Sequence, residues 1–414
     1  MINFFKRKFG GSIKDKNLEA KKMATAAASL LKSGHYDDAL EAYNEAIQEN
    51  PNDGRIYIEK VKSLTALGYH EQALEVIDEA ISLVEKELLT YIYDFRGLVL
   101  MKLGRTEEAV KSYDLAIIAN QKNAITYANK GVALYTLKRY EEAIKYYELS
   151  TQIDPEEPET YINFGAALSK LGKYEEAVKA YNKSIKLDPT NPEASYNKGV
   201  DLHNLNEFEE AIKAFDQAII LNKEAPYYNN YDSYFYKGQN LAALKKYEKA
   251  IEAFDAAIAL NQIDERGHIE KGRTLESLCK AQEAFKSYQD ALECNPSSID
   301  AYLAISSLLI VLKRYDDAIR INDILIEIAP DFFGGYENKA LVLRIMGRCE
   351  EAINYFDLTL QLEPNDPSIY YEKAKTLDTL GKKQEALTTI NKAIELNPQN
   401  LALREARDII INNM

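Results

Sequence analysis

Hydrophobic and small residues recur along the chain with a period of 34 residues. In the clearest copy, Tyr161, Gly165 and Leu168 are spaced by four and three residues, which is the spacing of one helix face. A second stripe with the same spacing follows Gly172, a residue type that favours the left-handed conformation at a helix end. Asp188-Pro189 ends this second stripe, because proline disfavours a helical conformation in the residue before it. Each copy therefore predicts two helices joined by a short turn.

The register of this pattern holds from residue 20 to residue 400. Eleven repeats begin at residues 20, 54, 90, 124, 158, 192, 231, 265, 299, 333 and 367. The eleventh place is leucine in every repeat: Leu30, Leu64, Leu100, Leu134, Leu168, Leu202, Leu241, Leu275, Leu309, Leu343 and Leu377. The twentieth place is alanine in every repeat: Ala39, Ala73, Ala109, Ala143, Ala177, Ala211, Ala250, Ala284, Ala318, Ala352 and Ala386. Because such repeats contact mainly their neighbours, we predict an all-α solenoid of eleven helix-turn-helix units.

Breaks in the register define the expected segments of the chain. They are a basic and disordered N-terminal tail at 1–19, repeats one to six at 20–225, a Tyr-rich insert at 226–230, repeats seven to eleven at 231–400, and a capping helix at 401–414. In the capping helix, Leu403, Ala406 and Ile410 are expected to face inward and cover the last open surface. Two extra residues, Leu88-Leu89, are expected to extend a helix between repeats two and three.

The repeat resembles the tetratricopeptide repeat (TPR), through its small eighth residue, its alanine at place twenty, its aromatic residue at place twenty-four and its proline at place thirty-two. The resemblance covers about nine-tenths of the chain. It implies a right-handed superhelix whose first helices line a concave groove for extended peptides or partner helices. The sequence departs from the family pattern in having no tryptophan, and in repeat nine, where Ser306, Asn322 and Leu325 occupy core places.

Composition and charge narrow the functional classes. The formal net charge of −14 argues against general binding of nucleic acid, whose phosphates need a basic surface. The odd number of cysteines, three, indicates a reducing compartment, and we expect a cytoplasmic protein. No apolar run is long enough for a transmembrane helix. At the N-terminus, Phe4, Phe5 and Phe9 flank three basic residues, which fits either a disordered tail or a weak contact with an anionic membrane surface.

Catalytic and metal-binding motifs are absent from the sequence. It has no Gly-rich phosphate loop, no H-E-x-x-H and no G-x-S-x-G motif. Its four histidines are far apart, and none pairs with a cysteine at metal-ligand spacing. We therefore predict a protein that is not an enzyme, with no catalytic residues, no cofactor and no metal.

The Tyr-rich insert has two interpretations. Tyr227, Tyr228 and Tyr231 occupy no core place of the repeat. Their rings could pack on the joint between repeats six and seven, as side chains of long joints often do. Alternatively, they could form an exposed contact for a partner, since tyrosine is enriched at interface hot spots.

The residues that the resemblance places in the groove give two candidate binding sites. At the sixth place of successive repeats, Asn129, Asn163 and Asn197 form a ladder whose amides could bind a partner's backbone, or could instead serve contacts between repeats. In repeats nine and ten, Ile310, Val311 and Ile345 would make the groove apolar and suited to an amphipathic helix, unless they pack inside. We predict a protein–protein interaction scaffold that binds a peptide or partner helix in its groove. The alternative is a structural protein that self-associates through the solenoid ends or the Tyr-rich insert.

Overall fold

The computed structural model describes residues 13–224 and 230–412. Across these residues the chain forms twenty-three α-helices and no strand, which confirms the predicted all-α fold of eleven helix pairs and a final helix. The helices divide into two compact parts, one through Glu207 and one from Phe208. The N-terminal part contains α1 (Ile13–Lys32), α2 (Tyr36–Glu49), α3 (Gly54–Ala66), α4 (His70–Ala80), α5 (Leu89–Lys102), α6 (Thr106–Ala119), α7 (Ala124–Thr136), α8 (Tyr140–Ile153), α9 (Pro158–Lys170), α10 (Tyr174–Leu187) and α11 (Pro192–Asn204).

The C-terminal part continues the same alternation of first and second helices. It contains α12 (Phe208–Glu224), α13 (Tyr231–Ala243), α14 (Tyr247–Leu260), α15 (Glu265–Ser277), α16 (Ala281–Cys294), α17 (Ile299–Val311), α18 (Tyr315–Ile328), α19 (Phe333–Ile345), α20 (Cys349–Leu362), α21 (Pro367–Thr379), α22 (Lys383–Leu396) and α23 (Leu401–Asn412). Leu403 and Ile410 of α23 are buried and Ala406 packs beside them, so this helix covers the last repeat as expected.

Two helix boundaries differ from the sequence expectation. Helix α1 begins at Ile13 rather than near residue 20, because no proline or glycine interrupts the chain between these points. The prediction that Leu88-Leu89 extend a helix holds only for Leu89, the first residue of α5, because Leu88 lies in a separate 3-10 helix. Helix α4 already ends at Ala80, and a short 3-10 helix at Lys86–Leu88 leads into α5.

Within each compact part, each helix packs against the next one along the chain. The first helices of consecutive repeats also contact one another, from α1 to α11 in one part and from α13 to α23 in the other. Among the described helices, no pair of second helices approaches as closely. The first helices therefore form the tighter, inner layer of each part, and their exposed side chains line its concave face.

A glycine at the eighth place and an aromatic ring at the twenty-fourth place form the centre of most repeats. A Cβ atom at Gly165 would lie 2.5 Å from a ring carbon of Tyr181, and one at Gly131 would lie 2.6 Å from Tyr147. The same pairing joins Gly97 to Tyr113, Gly238 to Phe254 and Gly272 to Tyr288. All five rings are almost fully buried. The missing side chain of glycine thus creates the space that the ring fills.

Repeat nine replaces this pairing with a polar one. Asn322, at the place of the ring, donates from Nδ2 to Ser306 Oγ at 2.9 Å and to the Ala318 carbonyl oxygen at 2.9 Å. Both Ser306 and Asn322 are fully buried. The smaller asparagine makes room for a side chain at the eighth place, and the hydrogen bonds offset the cost of burying two polar groups.

Asp201 is a buried carboxyl group beside this core. It lies on α11, is 1% exposed, and accepts a hydrogen bond from Ser169 Oγ at 2.6 Å. Its Oδ2 atom has no hydrogen-bond partner among the described residues. Burial raises the pKa of Asp201 to about 6, so the folded chain holds this proton more tightly than the unfolded chain does.

We predict that Gly165→Ala lowers the free energy of unfolding by about 1–3 kcal/mol, because the added methyl group overlaps the Tyr181 ring. Urea-induced unfolding followed by circular dichroism measures this change. In a Tyr181→Asn background, Gly165→Ser should cost much less than in the wild-type chain, because that pair reproduces Ser306 and Asn322. Equal costs in the two backgrounds would contradict the steric explanation.

We also predict that Asp201→Asn stabilises the protein at pH 7 by about 1–3 kcal/mol. The folded-state pKa of Asp201 lies above its ordinary value, so its favourable contribution is complete below about pH 4 and is lost as the pH rises through about 6. The variant should therefore lose this part of the pH dependence in thermal unfolding between pH 4 and pH 8. Asp188→Asn is the control. The hydroxyl of Thr190 lowers the pKa of Asp188, so removing that charge should not stabilise the protein at pH 7.

Candidate peptide-binding groove

The three asparagines of the ladder lie on adjacent first helices of the N-terminal part. Asn129 is on α7, Asn163 on α9 and Asn197 on α11, and these helices contact one another in that order. Each side chain is half-buried. None of the three amides makes a side-chain hydrogen bond within the part of the chain that the structure describes, which gives no support to a role in joining repeats. Their donors and acceptors remain available to a ligand.

Small or apolar side chains surround the amides. Ala128 and Val132 flank Asn129 on α7, and Ala166 and Val200 occupy the ninth place of the next two repeats. All four are half-buried. These four side chains form an uncharged floor. For a ligand peptide lying across this floor, the three amides would be the nearest side-chain polar groups.

Ion pairs attach most first helices to the second helix of the preceding repeat. A Lys or Arg at the seventh place pairs with an Asp at the twenty-fifth place of the preceding repeat, which is sixteen residues earlier where no extra residues intervene. Lys271 Nζ lies 2.6 Å from Asp255 Oδ1, and across the two extra residues at 88–89 Arg96 Nε lies 2.9 Å from Asp78 Oδ1. The same pairing joins Lys130 to Asp114, Lys237 to Asp216, Lys339 to Asp323 and Lys373 to Asp357. Sequence analysis missed this ladder, although the sixteen-residue spacing of acid and base is visible in the chain.

The ion-pair ladder is interrupted at the two joints that carry Asn163 and Asn197. At the first, Phe164 replaces the base and packs near Tyr147, with 6.4 Å between ring centroids. At the second, Lys198 is present but Asn182 replaces the acid, and Lys198 has no ion pair among the described residues. Burial lowers the pKa of Lys198, as expected for a lysine that lacks an acidic neighbour.

The apolar residues of the second candidate site lie in the C-terminal part and differ in exposure. Val311 ends α17 with 73% of its surface exposed, and Ile345 ends α19 with 47% exposed. Ile310 instead packs partly against the core of repeats eight and nine. Beside Ile345, Arg344 Nη2 forms an ion pair with Glu372 Oε2 of α21 at 2.9 Å. The structure thus leaves two of the three apolar side chains accessible on neighbouring first helices.

Tyr231 does not form an exposed contact. Its ring is 4% exposed, stacks on Phe235 with 5.9 Å between centroids, and lies 5.2 Å from the Arg266 guanidinium. The interpretation as a surface hot spot is therefore wrong for Tyr231, because the start of α13 turns this ring into the core. Tyr227 and Tyr228 lie outside the described residues, as does the basic segment around Lys6.

Other kinds of site have little support among the described residues. They contain no group of three or more His, Cys, Asp or Glu side chains placed to hold a metal ion. None of the helices in 13–224 and 230–412 has the length and apolar character needed to cross a membrane. A cleft of about 510 Å³ lies between α12, α13 and α14, where Lys237 is already paired with Asp216 at 2.6 Å.

The segments that match known protein families lie within the 34-residue repeats. Tetratricopeptide repeat models match residues 30–86, 96–158, 204–265 and 367–400, and a TPR repeat model matches residues 165–205, together more than half of the chain. The chain is a tetratricopeptide repeat protein. No curated protein sequence matches it significantly.

Several solved structures are similar to this TPR protein. The MamA crystal structure is 27% identical over 42% of this chain and 92% of its own, with a TM-score of 0.40. YrrB, described as a TPR protein with an unusual peptide-binding site, is 23% identical over 46% of this chain and 95% of its own, with a TM-score of 0.38. Yeast Tom70 is 16% identical over 96% of both chains, with a TM-score of 0.48.

Membership of the TPR family supports the interpretation of the chain as a protein-interaction scaffold, and proteins of this family are typically non-catalytic. The family gives no partner, because a repeat fold supplies surfaces and the exposed residues select what binds. The exposed places of the first helices are therefore the informative ones.

We predict that Asn182→Asp stabilises the TPR array by about 0.5–1 kcal/mol, because it supplies the missing acid for Lys198. The gain should shrink in 1 M salt, where charges are screened. Thermal unfolding at low and high salt measures both effects, with Asn182→Ala as the matched control. If the Asp and Ala variants unfold at the same temperature in low salt, Lys198 does not occupy the place assigned to it in the ladder.

Proposed function

We propose that this TPR protein binds an extended peptide, or an extended segment of a partner protein, across α7, α9 and α11. The side-chain amides of Asn129, Asn163 and Asn197 hydrogen bond to the partner's backbone. The observation that carries the proposal is the set of three half-buried amides, repeated in register and without a hydrogen-bond partner in the described chain. An amide both donates and accepts, so it matches a peptide group whatever side chain the partner carries.

The spacing of the ladder fits an extended chain. Packed helices are separated by about 8–10 Å, and the first helices of adjacent repeats are in contact. An extended chain advances about 3.3 Å per residue. Successive amides therefore meet the partner backbone about every three residues, and three amides span a segment of about seven residues.

The apolar floor adds to this arrangement. Ala128, Val132, Ala166 and Val200 offer no competing hydrogen bonds and lose water when a peptide covers them. Bonds between the amides and the peptide are then shielded from solvent. A net contribution of about 0.5–1.5 kcal/mol per hydrogen bond is the usual range.

In the C-terminal part, Val311 and Ile345 form a second contact that suits an apolar side chain of the partner, whereas Ile310 packs partly against the core. Exposed apolar residues on neighbouring first helices favour an amphipathic helix or an apolar anchor over a charged one. The two sites lie in different compact parts, so we propose them as two separate contacts.

The triple variant Asn129→Ala, Asn163→Ala, Asn197→Ala tests the proposal. We expect the protein that cross-links to the wild-type chain in a native lysate to be lost, with affinity for the purified partner reduced at least tenfold. Circular dichroism first establishes that the variant is folded.

A matched triple variant removes amides from the opposite layer. Gln48, Gln152 and Asn182 are exposed on the second helices α2, α8 and α10, and their replacement by alanine should leave the partner bound. If the groove variant and this control retain the same partner equally well, the ladder does not bind it. Binding that is lost only in a Val311→Ser, Ile345→Ser variant would instead place the partner on the C-terminal part.

A further inference from the structure

The second place of each repeat in the N-terminal part carries an exposed side chain. In chain order these residues are Lys21, Arg55, Tyr91, Ile125, Glu159 and Glu193. Their character changes in one direction, from basic through apolar to acidic. Tyr91 and Ile125 are 54% and 65% exposed, so core packing does not explain them.

This row lies beside the asparagine ladder. The second and sixth places of a repeat are four residues apart on one helix, which puts their side chains on the same face, about 5–6 Å apart at Cβ. Ile125 therefore neighbours Asn129, Glu159 neighbours Asn163, and Glu193 neighbours Asn197. A peptide held by the amides passes along the row.

The acidic end of the row has no basic side chain paired with it, although both carboxylates lie in the first turn of their helices, where the helix dipole offsets part of their charge. Glu159 and Glu193 form no ion pair with any described residue, and they lie on adjacent helices. Burial raises the pKa of Glu193, and the negative charge of Glu159 raises it further. Glu193 is itself exposed to solvent, so a ligand can reach its carboxylate. A cation bound between the two carboxylates would relieve their repulsion.

The basic end of the row is less available to a charged ligand than the acidic end. Arg55 is already paired with Asp53, whose Oδ1 lies 3.0 Å from Arg55 Nε. The four residues from Tyr91 to Glu193 are therefore the ones in the row that could select between peptides. In the C-terminal part, the second places are Asp232, Arg266, Asp300, Gly334 and Ser368, which show no such order, and Arg266 is paired with Asp232 and Asp264.

Resting on the proposed function, we infer that the segment bound by the N-terminal part carries two apolar side chains followed by two Lys or Arg residues at intervals of three. The apolar side chains contact Tyr91 and Ile125, and the basic ones contact Glu159 and Glu193. The interval follows from the repeat spacing of about 10 Å and the rise of about 3.3 Å per residue in an extended chain. Side-chain order alone fixes no chain direction, so the pattern applies when read from either end of the peptide.

Synthetic peptides test the inferred pattern by fluorescence anisotropy with the intact protein. The probe is Leu-x-x-Leu-x-x-Lys-x-x-Lys, with Gly, Ser and Ala at x, together with its reversed sequence. The matched control has the same composition but alternates Leu and Lys at the four patterned positions. We expect one direction of the probe to bind at least tenfold more tightly than the alternating peptide at low salt, and to weaken as salt rises.

Charge reversal in the protein tests the assigned contacts. Glu159→Lys with Glu193→Lys should weaken the probe about tenfold and should favour a probe with Asp in place of Lys. The control pair, Glu175→Lys with Glu176→Lys, makes the same charge change on exposed residues of the second helix α10 and should leave affinity unchanged.

The outcomes separate this inference from the proposed function. Equal binding of the probe and the alternating peptide, or equal effects of the two charge reversals, would overturn the inferred pattern. Loss of the natural partner in the asparagine variant would still uphold the groove. If sedimentation of the protein alone shows a dimer that Glu159→Lys with Glu193→Lys abolishes, a second copy occupies the row and the peptide assignment fails.

Discussion

Close packing of an aromatic ring against a glycine Cα is the contact on which the array depends. In five described repeats the ring fills the volume that a Cβ atom would take, as Tyr181 does at Gly165. In these five repeats the contact leaves no room for a side chain at the eighth place, whereas repeats one and ten fit Ala27 and Ala340 beside the buried rings Tyr43 and Phe356. Repeat nine shows that the rule concerns volume rather than residue type, because Ser306 is accommodated only where the ring has become Asn322.

The core contacts also explain how much of the fold was predictable. Invariant places such as Leu168 and Ala177 repeat within the chain, so the period alone locates each helix pair. Helix ends depend on weaker signals. The early start of α1 at Ile13 and the early end of α4 at Ala80 involve residues without a strong cap or breaker, where several boundaries have similar energy.

The candidate site was less predictable from the sequence than the fold. The three asparagines follow from their place in the repeat, but their lack of internal hydrogen bonds required coordinates. The sequence left open whether Tyr231 packs at the joint or is exposed, because its neighbours in sequence are tyrosines. Its contacts with Phe235 and Arg266 decide for packing. The ion-pair ladder was missed because its acid and base lie on different repeats, and local periodicity does not connect them.

Stability and binding place opposite demands on α9 and α11. Most first helices are attached by an ion pair to the preceding repeat. Among the described residues this pair is absent at α9, where Phe164 replaces the base, and at α11, where Lys198 lacks an acidic partner, as it also is at α3 and α17. Helix α11 also carries Asp201, whose buried carboxyl opposes folding at neutral pH. These features lie on the two helices that carry Asn163, Asn197, Glu159 and Glu193. The same two helices that offer unsatisfied amides and carboxylates to solvent therefore lack the ion pair that most first helices have, and a ligand that neutralises their charge would stabilise them as it binds.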